Sequence, residues 1–240
     1  MEQGVPWSEG PLIHEGAEGL VHFGYWFGKE AVKKVRRPRG YRDPSLDRAL
    51  TKTRMLSEIR ILRHLEHKDT HTPRILDADI NSGTIIMTRI AGRPLFEHLR
   101  SSSTQFVGRS DVGYSEEVPV RTLLTMVGVQ IRSLHMEGIS HGDLTTHNIM
   151  WDSRQHLNLE SGYVGIIDFG LGRLSSEIEA LGQDLQVLNE CLSASHPLHP
   201  YALDEILEGY ASVVDDRAEP SANQVIERFN EIRGRVRYHG

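Results

Sequence analysis

A short stretch near the middle of the chain carries side chains that suit phosphoryl transfer. Residues 141–148 have the sequence His-Gly-Asp-Leu-Thr-Thr-His-Asn, and twenty residues after Asn148 comes Asp168, which begins an Asp-Phe-Gly tripeptide. The carboxylate of Asp143 is suited to orient an attacking hydroxyl or water as a general base. The side-chain oxygens of Asn148 and Asp168 are ligands that Mg²⁺ prefers, together with phosphates and water. Because phosphoryl transfer requires little else of a protein, the stretch predicts a reaction that uses ATP and Mg²⁺.

The spacing of these residues is that of the catalytic loop and metal-binding tripeptide of protein kinases. Each piece alone is a weak signal, but the two in this order and spacing are specific. Protein kinases also use a strand lysine that contacts the phosphates and pairs with a helix glutamate. Lys33 and Lys34 are both candidates, because neighbouring residues of a strand point to opposite faces. We predict that Lys34 pairs with Glu58 and that Lys33 faces solvent.

The candidate phosphate loop is Gly16-Ala17-Glu18-Gly19, the turn of a hairpin predicted over residues 12–28. It has fewer glycines than the G-x-G-x-x-G loop of protein kinases, and the carboxylate of Glu18 stands where a triphosphate would lie. Backbone amides can still cradle a phosphate there. We therefore predict that Gly16, Ala17 and Glu18 contact the nucleotide, with Glu18 acting through the metal ion or swinging away.

The elements around these residues change from strands to helices along the chain. Strands are predicted at 30–35, on both sides of a turn at 81–83, and at 165–167. One main helix is predicted from Asp43, as N-cap before Pro44, to His64. Its predicted packed side carries Leu46, Leu50, Ile59 and Leu62. Later helices are predicted at 93–100, 119–136, 181–193, 201–214 and from 221 to the end.

This order predicts an α+β protein with the two-lobed fold of protein kinases. We expect a small N-terminal antiparallel β lobe with one main helix, and a reduced, mainly helical C-terminal lobe. The chain is predicted to be a single domain over residues 1–240, with an N-lobe of about 1–90 and a C-lobe of about 91–240. Residues 101–119 are rich in serine, glycine and charge, and are predicted to be a mobile insertion.

Composition and charge exclude several classes of protein. No run approaches the ~18 apolar residues of a membrane span, and the first ten residues are too polar for a signal peptide. The single cysteine, Cys191, excludes an internal disulfide and a cysteine-based zinc site, and we expect it to fill core space. The net charge is −6, yet residues 29–63 hold 12 Lys/Arg against 4 Asp/Glu. This basic segment is either a solvated helix face or a surface that binds a polyanion.

The chain resembles the small atypical kinase subunit of the KEOPS (EKC) complex, the PRPK-like family, which is related to the RIO kinases. The resemblance spans nearly the whole chain. Its most specific strings are Tyr-Arg-Asp-Pro-Ser-Leu-Asp at 41–47 and His-Gly-Asp-Leu-Thr-Thr at 141–146. Other matching positions are Lys34, Arg54, Glu58, Ile-Asp-Phe-Gly-Leu at 167–171, Gly-Gln-Asp-Leu at 182–185 and Ser-His-Pro at 195–197.

The resemblance implies an ATP- and Mg²⁺-dependent atypical serine/threonine kinase and ATPase that supports threonylcarbamoylation of adenosine in tRNA. It implies backbone contacts to adenine at Met87 and Ile90. It also implies that the catalytic subunit of the complex binds the C-lobe, that a small regulatory subunit binds the N-lobe, and that the protein works in the cytoplasm and nucleus. The segment from Lys29 to Arg63 and the arginines at 228, 233, 235 and 237 then become candidate contacts to tRNA.

Three features depart from ordinary protein kinases. Gly142 replaces the arginine that grips a phosphorylated activation loop, Thr145 replaces a lysine that neutralises the transferring phosphate, and no Ala-Pro-Glu precedes Asp184. A peptide-docking platform is therefore not expected, and Asp184 is expected to tie the catalytic loop to a helix. His141 is expected to be structural. Two alternatives stay open, a free-standing serine/threonine kinase and a non-catalytic pseudokinase scaffold.

Overall fold

The computed structural model describes residues 6–16, 19–37, 43–100, 106–107, 118–152, 162–213 and 219–236. They fall into two compact units, one of residues up to His67 with Thr72–Ile90 and the other of Lys68–His71 with the residues from Ala91 onward. Ala17 and Glu18, predicted to contact the phosphates, lie outside the described residues, as does most of the predicted insertion 101–119.

The first unit contains a five-stranded sheet and one long helix. Its elements are β1 (Trp7–Gly16), β2 (Gly19–Trp26), β3 (Lys29–Arg36), α1 (Pro44–Leu65), β4 (Ile75–Asp79) and β5 (Thr84–Thr88). The strand order is β1-β2-β3-β5-β4, and every neighbouring pair is antiparallel. The predicted hairpin over residues 12–28 is confirmed, and its first strand begins earlier, at Trp7.

Helix α1 begins where the sequence predicted, because the Asp43 carboxylate accepts hydrogen bonds from the amides of Ser45 and Leu46. The prediction of its packed side was partly wrong: Leu46 and Leu50 are 54% and 36% exposed. The first half of the helix is rich in polar and charged residues, and Asp47 is the buried one among its described side chains. The buried apolar residues lie in the second half, at Met55, Ile61, Leu62 and Leu65.

The second unit is mainly helical. Its strands are short: β6 (Arg93–Pro94), β7 (Phe106–Val107), β8 (Val118–Pro119), β9 (Ile139–Ser140), β10 (Ile149–Asp152), β11 (Tyr163–Ile166) and β12 (Arg173–Leu174). Its helices are α2 (Leu95–Arg100), α3 (Val120–Met136), α4 (Ile178–Ser195), α5 (Ala202–Ser212) and α6 (Ala222–Val236). The pairs β10–β11 and β9–β12 are antiparallel and flank the predicted catalytic residues.

Helix α3 is the centre of this unit. Its buried apolar residues Leu123, Val127, Ile131 and Leu134 recur at helical spacing and are 0% exposed. It leads directly into β9, so its packing sets where the following loop begins. Across the described parts of the chain, no helix combines the length and the apolar character needed to cross a membrane.

Candidate active site

The catalytic loop, residues 141–148, is fixed at its start by helix α4. Asp184 is 1% exposed, and its carboxylate accepts hydrogen bonds from the amides of His141 (2.6 Å) and Gly142 (2.8 Å). Carboxylate acceptors make strong hydrogen bonds with backbone amides. The structural role predicted for Asp184 is therefore confirmed.

Two further buried side chains, His135 and Tyr210, lie behind Asp184. His135 Nε2 is 3.4 Å from the Asp184 carboxylate, and His135 Nδ1 is 2.8 Å from the hydroxyl of Tyr210. Burial raises the pKa of Tyr210 to about 12, so the phenol stays protonated at neutral pH. Helices α3, α4 and α5 thus meet beneath the catalytic loop.

Gly142 has a steric reason to be glycine. Its φ is +77°, and a Cβ built there would lie 2.4 Å from the carbonyl oxygen of Leu171. Only glycine adopts this conformation without strain and tolerates such a close approach. The arginine of ordinary protein kinases does not fit this backbone, because any side chain would collide with Leu171.

The structure brings Asp143 and Asn148 together and ties the residue before Asp168 to them. Asn148 Nδ2 donates to the backbone oxygen of Asp143 (2.9 Å) and to its carboxylate (3.2 Å). The backbone amide of Ile167 donates to the carbonyl oxygen of Asn148 at 2.9 Å. This bond places the backbone that leads into Asp168 beside Asn148.

The Asp-Phe-Gly tripeptide is anchored through its phenylalanine. Phe169 is 0% exposed, and its ring centroid lies 5.0 Å from that of His141. His141 Nε2 is 3.0 Å from the carbonyl oxygen of Ile167, which confirms its predicted structural role. Asp168 has a left-handed φ of +64°, a conformation that aspartate tolerates better than most residues.

The donor set fits Mg²⁺. Because the Asn148 amide nitrogen points to Asp143, the carboxamide oxygen is the atom that remains to act as a ligand. An amide oxygen and a carboxylate match the preference of Mg²⁺ for few protein ligands plus phosphate and water oxygens. Among the described residues, no group of three or more His, Cys, Asp or Glu side chains could hold a metal ion by itself.

In the first unit, Lys34 and Glu58 form the predicted ion pair. Lys34 Nζ lies 3.0 and 3.3 Å from the two carboxylate oxygens of Glu58, which is 1% exposed. Arg36 was not among the predicted residues, and its Nη2 lies 2.6 Å from the same carboxylate. The signal was available, because residues two apart on a strand share a face. Glu58 therefore holds two buried cations.

The other predicted residues of the first unit lie around this sheet. Lys33 does not face solvent freely: its side chain is 20% exposed, pairs with Glu9 and lies over the ring of Trp7. Gly16 ends β1 opposite Gly19. Met87 is buried on β5, and Ile90 follows that strand and is half-buried.

The free energy of unfolding is expected to change with pH because of two buried histidines, His98 and His196. Burial lowers the pKa of His98 and of His196 from 6.5 to about 4. The unfolded chain therefore binds more protons between about pH 6.5 and 4, and stability is full above this window and falls as pH drops through it. We expect urea unfolding of His98→Gln and of His196→Gln to show a free energy of unfolding that changes less with pH than that of the wild type. The difference in slope should reach up to about 1.4 kcal/mol per pH unit for each histidine. Parallel curves for variant and wild type would contradict this assignment.

Comparison with known proteins gives three informative matches. The sequence matches the protein kinase domain family over residues 17–192. One relative is a probable bifunctional tRNA threonylcarbamoyladenosine biosynthesis protein of Methanothermobacter thermautotrophicus, which is 32% identical over 95% of this chain. The matched region is only 36% of the length of that protein. The EKC/KEOPS complex subunit BUD32 of Yarrowia lipolytica is 32% identical over 94% of this chain and 91% of the relative.

A solved structure agrees on the fold. The Rio2 kinase from Chaetomium thermophilum, crystallised as a complex with ADP, Mg²⁺ and phosphoaspartate, aligns with a TM-score of 0.59 over 96% of this chain and 72% of that one. At 18% identity this likeness concerns the fold alone. The predicted protein-kinase-like fold, with an antiparallel β part followed by a mainly helical part, is confirmed.

Proposed function

Because the chain belongs to the Bud32 family of protein kinases, we propose that it transfers the terminal phosphoryl group of Mg-ATP as a subunit of a complex that modifies tRNA. The acceptor is a serine or threonine hydroxyl or water. The observation that carries the proposal is the hydrogen-bonded group of Asp143 and Asn148 beside the Asp-Phe-Gly tripeptide. The relatives support the assignment to threonylcarbamoyladenosine synthesis by their names.

Asp143 is the residue proposed to orient the nucleophile. Its carboxylate is held by Asn148 Nδ2 at 3.2 Å, and its backbone oxygen accepts from both Asn148 and the amide of Thr145. These bonds fix one direction for the carboxylate, which is what positioning of an attacking oxygen requires. Asp143 would accept the proton of that oxygen as the new bond forms.

Asn148 and Asp168 are proposed to hold Mg²⁺. The ion, when bound, would neutralise charge on the phosphate oxygens. The contribution of the chain is the fixed separation of the two ligands, because the bond from Ile167 to the carbonyl of Asn148 ties the Asp-Phe-Gly tripeptide to the loop. Buried Phe169 and His141 keep that backbone in place.

Lys34 is proposed to contact the α- and β-phosphates of the nucleotide, aimed by Glu58. Arg36 on the same carboxylate limits how far Glu58 moves, so the lysine is aimed by a rigid partner. Gly16 with Ala17 and Glu18 is proposed as the phosphate loop, and Met87 and Ile90 as the adenine contacts.

We propose that this protein works with partner proteins. The relative from M. thermautotrophicus contains the region that matches this chain within a longer bifunctional protein. The counterpart of the rest of that protein is the first partner to test, as a catalytic subunit on the mainly helical unit. A small regulatory subunit is proposed to bind the β-rich unit.

The proposed contact to tRNA concerns a smaller set of side chains than the composition suggested. Within the basic segment, several cations are already paired with carboxylates: Lys33, Lys34, Arg36, Arg37 and Arg63. The exposed cations are better candidates for a phosphate backbone, namely Lys29, Arg48, Lys52 and Arg60. Of the predicted C-terminal arginines, Arg228 pairs with Glu179, Arg235 lies 4.0 Å from Glu231, Arg233 lies over the ring of Phe229, and Arg237 is outside the described residues.

The test is ATP hydrolysis by the purified chain, alone and with its partner and tRNA. Asp143→Asn is the matched blank, because it keeps the size of the side chain and removes its charge. We expect turnover that requires Mg²⁺, rises with the partner, and falls by at least about a hundredfold in the variant. Melting curves of both proteins check that they are folded.

Other outcomes would favour other functions. Strong phosphorylation of proteins without any partner would favour a free-standing serine/threonine kinase. Failure of the wild-type chain to bind Mg-ATP, with or without the partner, would refute the proposal and favour a scaffold.

A further inference from the structure

Helix α4 holds the start of the catalytic loop through Asp184. A residue at the end of the same helix, His196, contacts the loop at a second position. Thr146 is 0% exposed, and its Oγ1 lies 3.0 Å from Nε2 of His196. His196 caps the C-terminal end of α4, where its amide donates to the carbonyl of Leu192 at 2.9 Å. Asp184 and His196 therefore present two contacts to the catalytic loop from one rigid helix.

The surroundings of His196 make this hydrogen bond specific. The ring is 3% exposed and packs edge-on against Phe96, with centroids 5.3 Å apart. Phe96 in turn donates its amide to the carbonyl oxygen of Thr146 at 2.9 Å. Among the described residues, Nδ1 of His196 has no hydrogen-bond partner, so Nε2 provides the directional contact of this ring. The imidazole is neutral at pH 7, because burial lowers its pKa to about 4.

Thr146 lies between the two residues whose geometry matters most. The amide of Asn148 donates to Thr145 at 3.0 Å, and the amide of Thr145 donates to Asp143 at 2.9 Å. A shift of the backbone at 146 therefore moves the carboxylate of Asp143 and the carboxamide of Asn148 together. Small misplacements of such groups cost rate more than they cost binding.

We propose that His196 is a positioning residue, which holds the catalytic loop in its working geometry through the hydroxyl of Thr146. The expected loss of kcat rests on the proposed function. The expected change in the geometry of the loop rests on the hydrogen bonds of the structure alone. The residue acts through Thr146 and does not touch the reacting atoms.

The experiment is a double-mutant cycle. Thr146→Val removes the hydroxyl at nearly constant shape, and His196→Phe keeps a ring against Phe96 and removes both nitrogens. Each is expected to lower kcat for ATP hydrolysis about tenfold with KM for ATP within about twofold. The double variant should be no worse than Thr146→Val alone, because His196→Phe removes one of the two contacts of the Thr146 hydroxyl, the other being with Sγ of Cys191 at 3.3 Å. Thr146→Ser, which keeps the hydroxyl, should retain wild-type kcat.

A second measurement does not depend on turnover. Amide hydrogen exchange of the nucleotide-free protein should quicken at Thr145 and Asn148 in both variants, and stay slow at His141 and Gly142, which Asp184 holds. His199→Phe is the matched control: His199 is also buried just beyond the end of α4, but its Nε2 bonds to the carbonyl of Leu99 at 3.0 Å and not to the catalytic loop. It should leave exchange at Thr145 and Asn148 unchanged.

The outcomes separate the two proposals. Absence of turnover in the wild-type chain, both alone and with its partner, refutes the proposed function, whereas quicker exchange in the variants still supports the positioning contact. Wild-type kcat and exchange in Thr146→Val, or kcat losses that add in the double variant, would overturn the inference. If Thr146→Val does not fold, His196→Phe tests the same bond from its other side.

Discussion

Asp168→Ala is expected to reduce Mg-dependent ATP turnover by about a thousandfold, or about 4 kcal/mol of transition-state stabilisation. The change removes a proposed metal ligand and no core packing, because the buried anchor of the tripeptide is Phe169. The free energy of unfolding should change by no more than about 1–2 kcal/mol, the cost of alanine in a left-handed conformation.

A second variant separates the loss of the ligand from strain in the backbone. Asp168→Asn tolerates the positive φ and removes the charge, so it should be as stable as the wild type and still lose most turnover. Steady-state hydrolysis over a Mg²⁺ titration measures the loss, and urea unfolding measures the stability. Equal turnover in wild type and in both variants would remove Asp168 from the active site.

Gly128→Ala is expected to destabilise the chain by about 3 kcal/mol, the upper end of the cost of overpacking. A Cβ at Gly128 would lie 1.9 Å from the carbonyl oxygen of Ile206, and one at Gly209 would lie 1.9 Å from that of Thr125. The two helices α3 and α5 touch backbone to backbone at this crossing. A methyl group there separates them, and the loss far exceeds the better helix propensity of alanine.

Gly234→Ala provides the control for that experiment. Gly234 lies in α6, and nothing lies within 4 Å of a Cβ built there. Alanine should therefore stabilise the helix by about 0.5 kcal/mol through propensity alone. Urea unfolding of both variants makes the comparison. A gain in stability for Gly128→Ala similar to that for Gly234→Ala would show that α3 and α5 are not in contact at these glycines.

The crossing of α3 and α5 is also expected to affect the proposed activity. Helix α3 leads into the catalytic loop, and His135 on α3 contacts both Tyr210 on α5 and Asp184 on α4. Separation of α3 from α5 would disturb the support of Asp184. We therefore expect Gly128 and Gly209 to affect the geometry of the site as well as the stability of the chain.

Features that depend on short spacing could be predicted from the amino-acid sequence. The order and spacing of His-Gly-Asp, Asn148 and the tripeptide at Asp168 indicated a candidate site, because they match the motifs of protein kinases. Asp43 indicated the start of α1, since an N-cap bonds to amides two and three residues later. The pairing of Lys34 with Glu58 followed from the motif of the family and the direction of alternate strand residues.

Contacts between distant parts of the chain could not be predicted in this way and are seen in the three-dimensional structure. Thr146 and His196 are 50 residues apart, and nothing local in the sequence indicates that they share a hydrogen bond. Nothing local in the sequence at Gly128 or Gly209 indicates the close crossing of α3 and α5, where each Cβ would lie 1.9 Å from a carbonyl oxygen. Local sequence patterns indicate the periodicity of a helix or strand. Contacts between elements depend instead on how closely the elements pack, which many residues determine together.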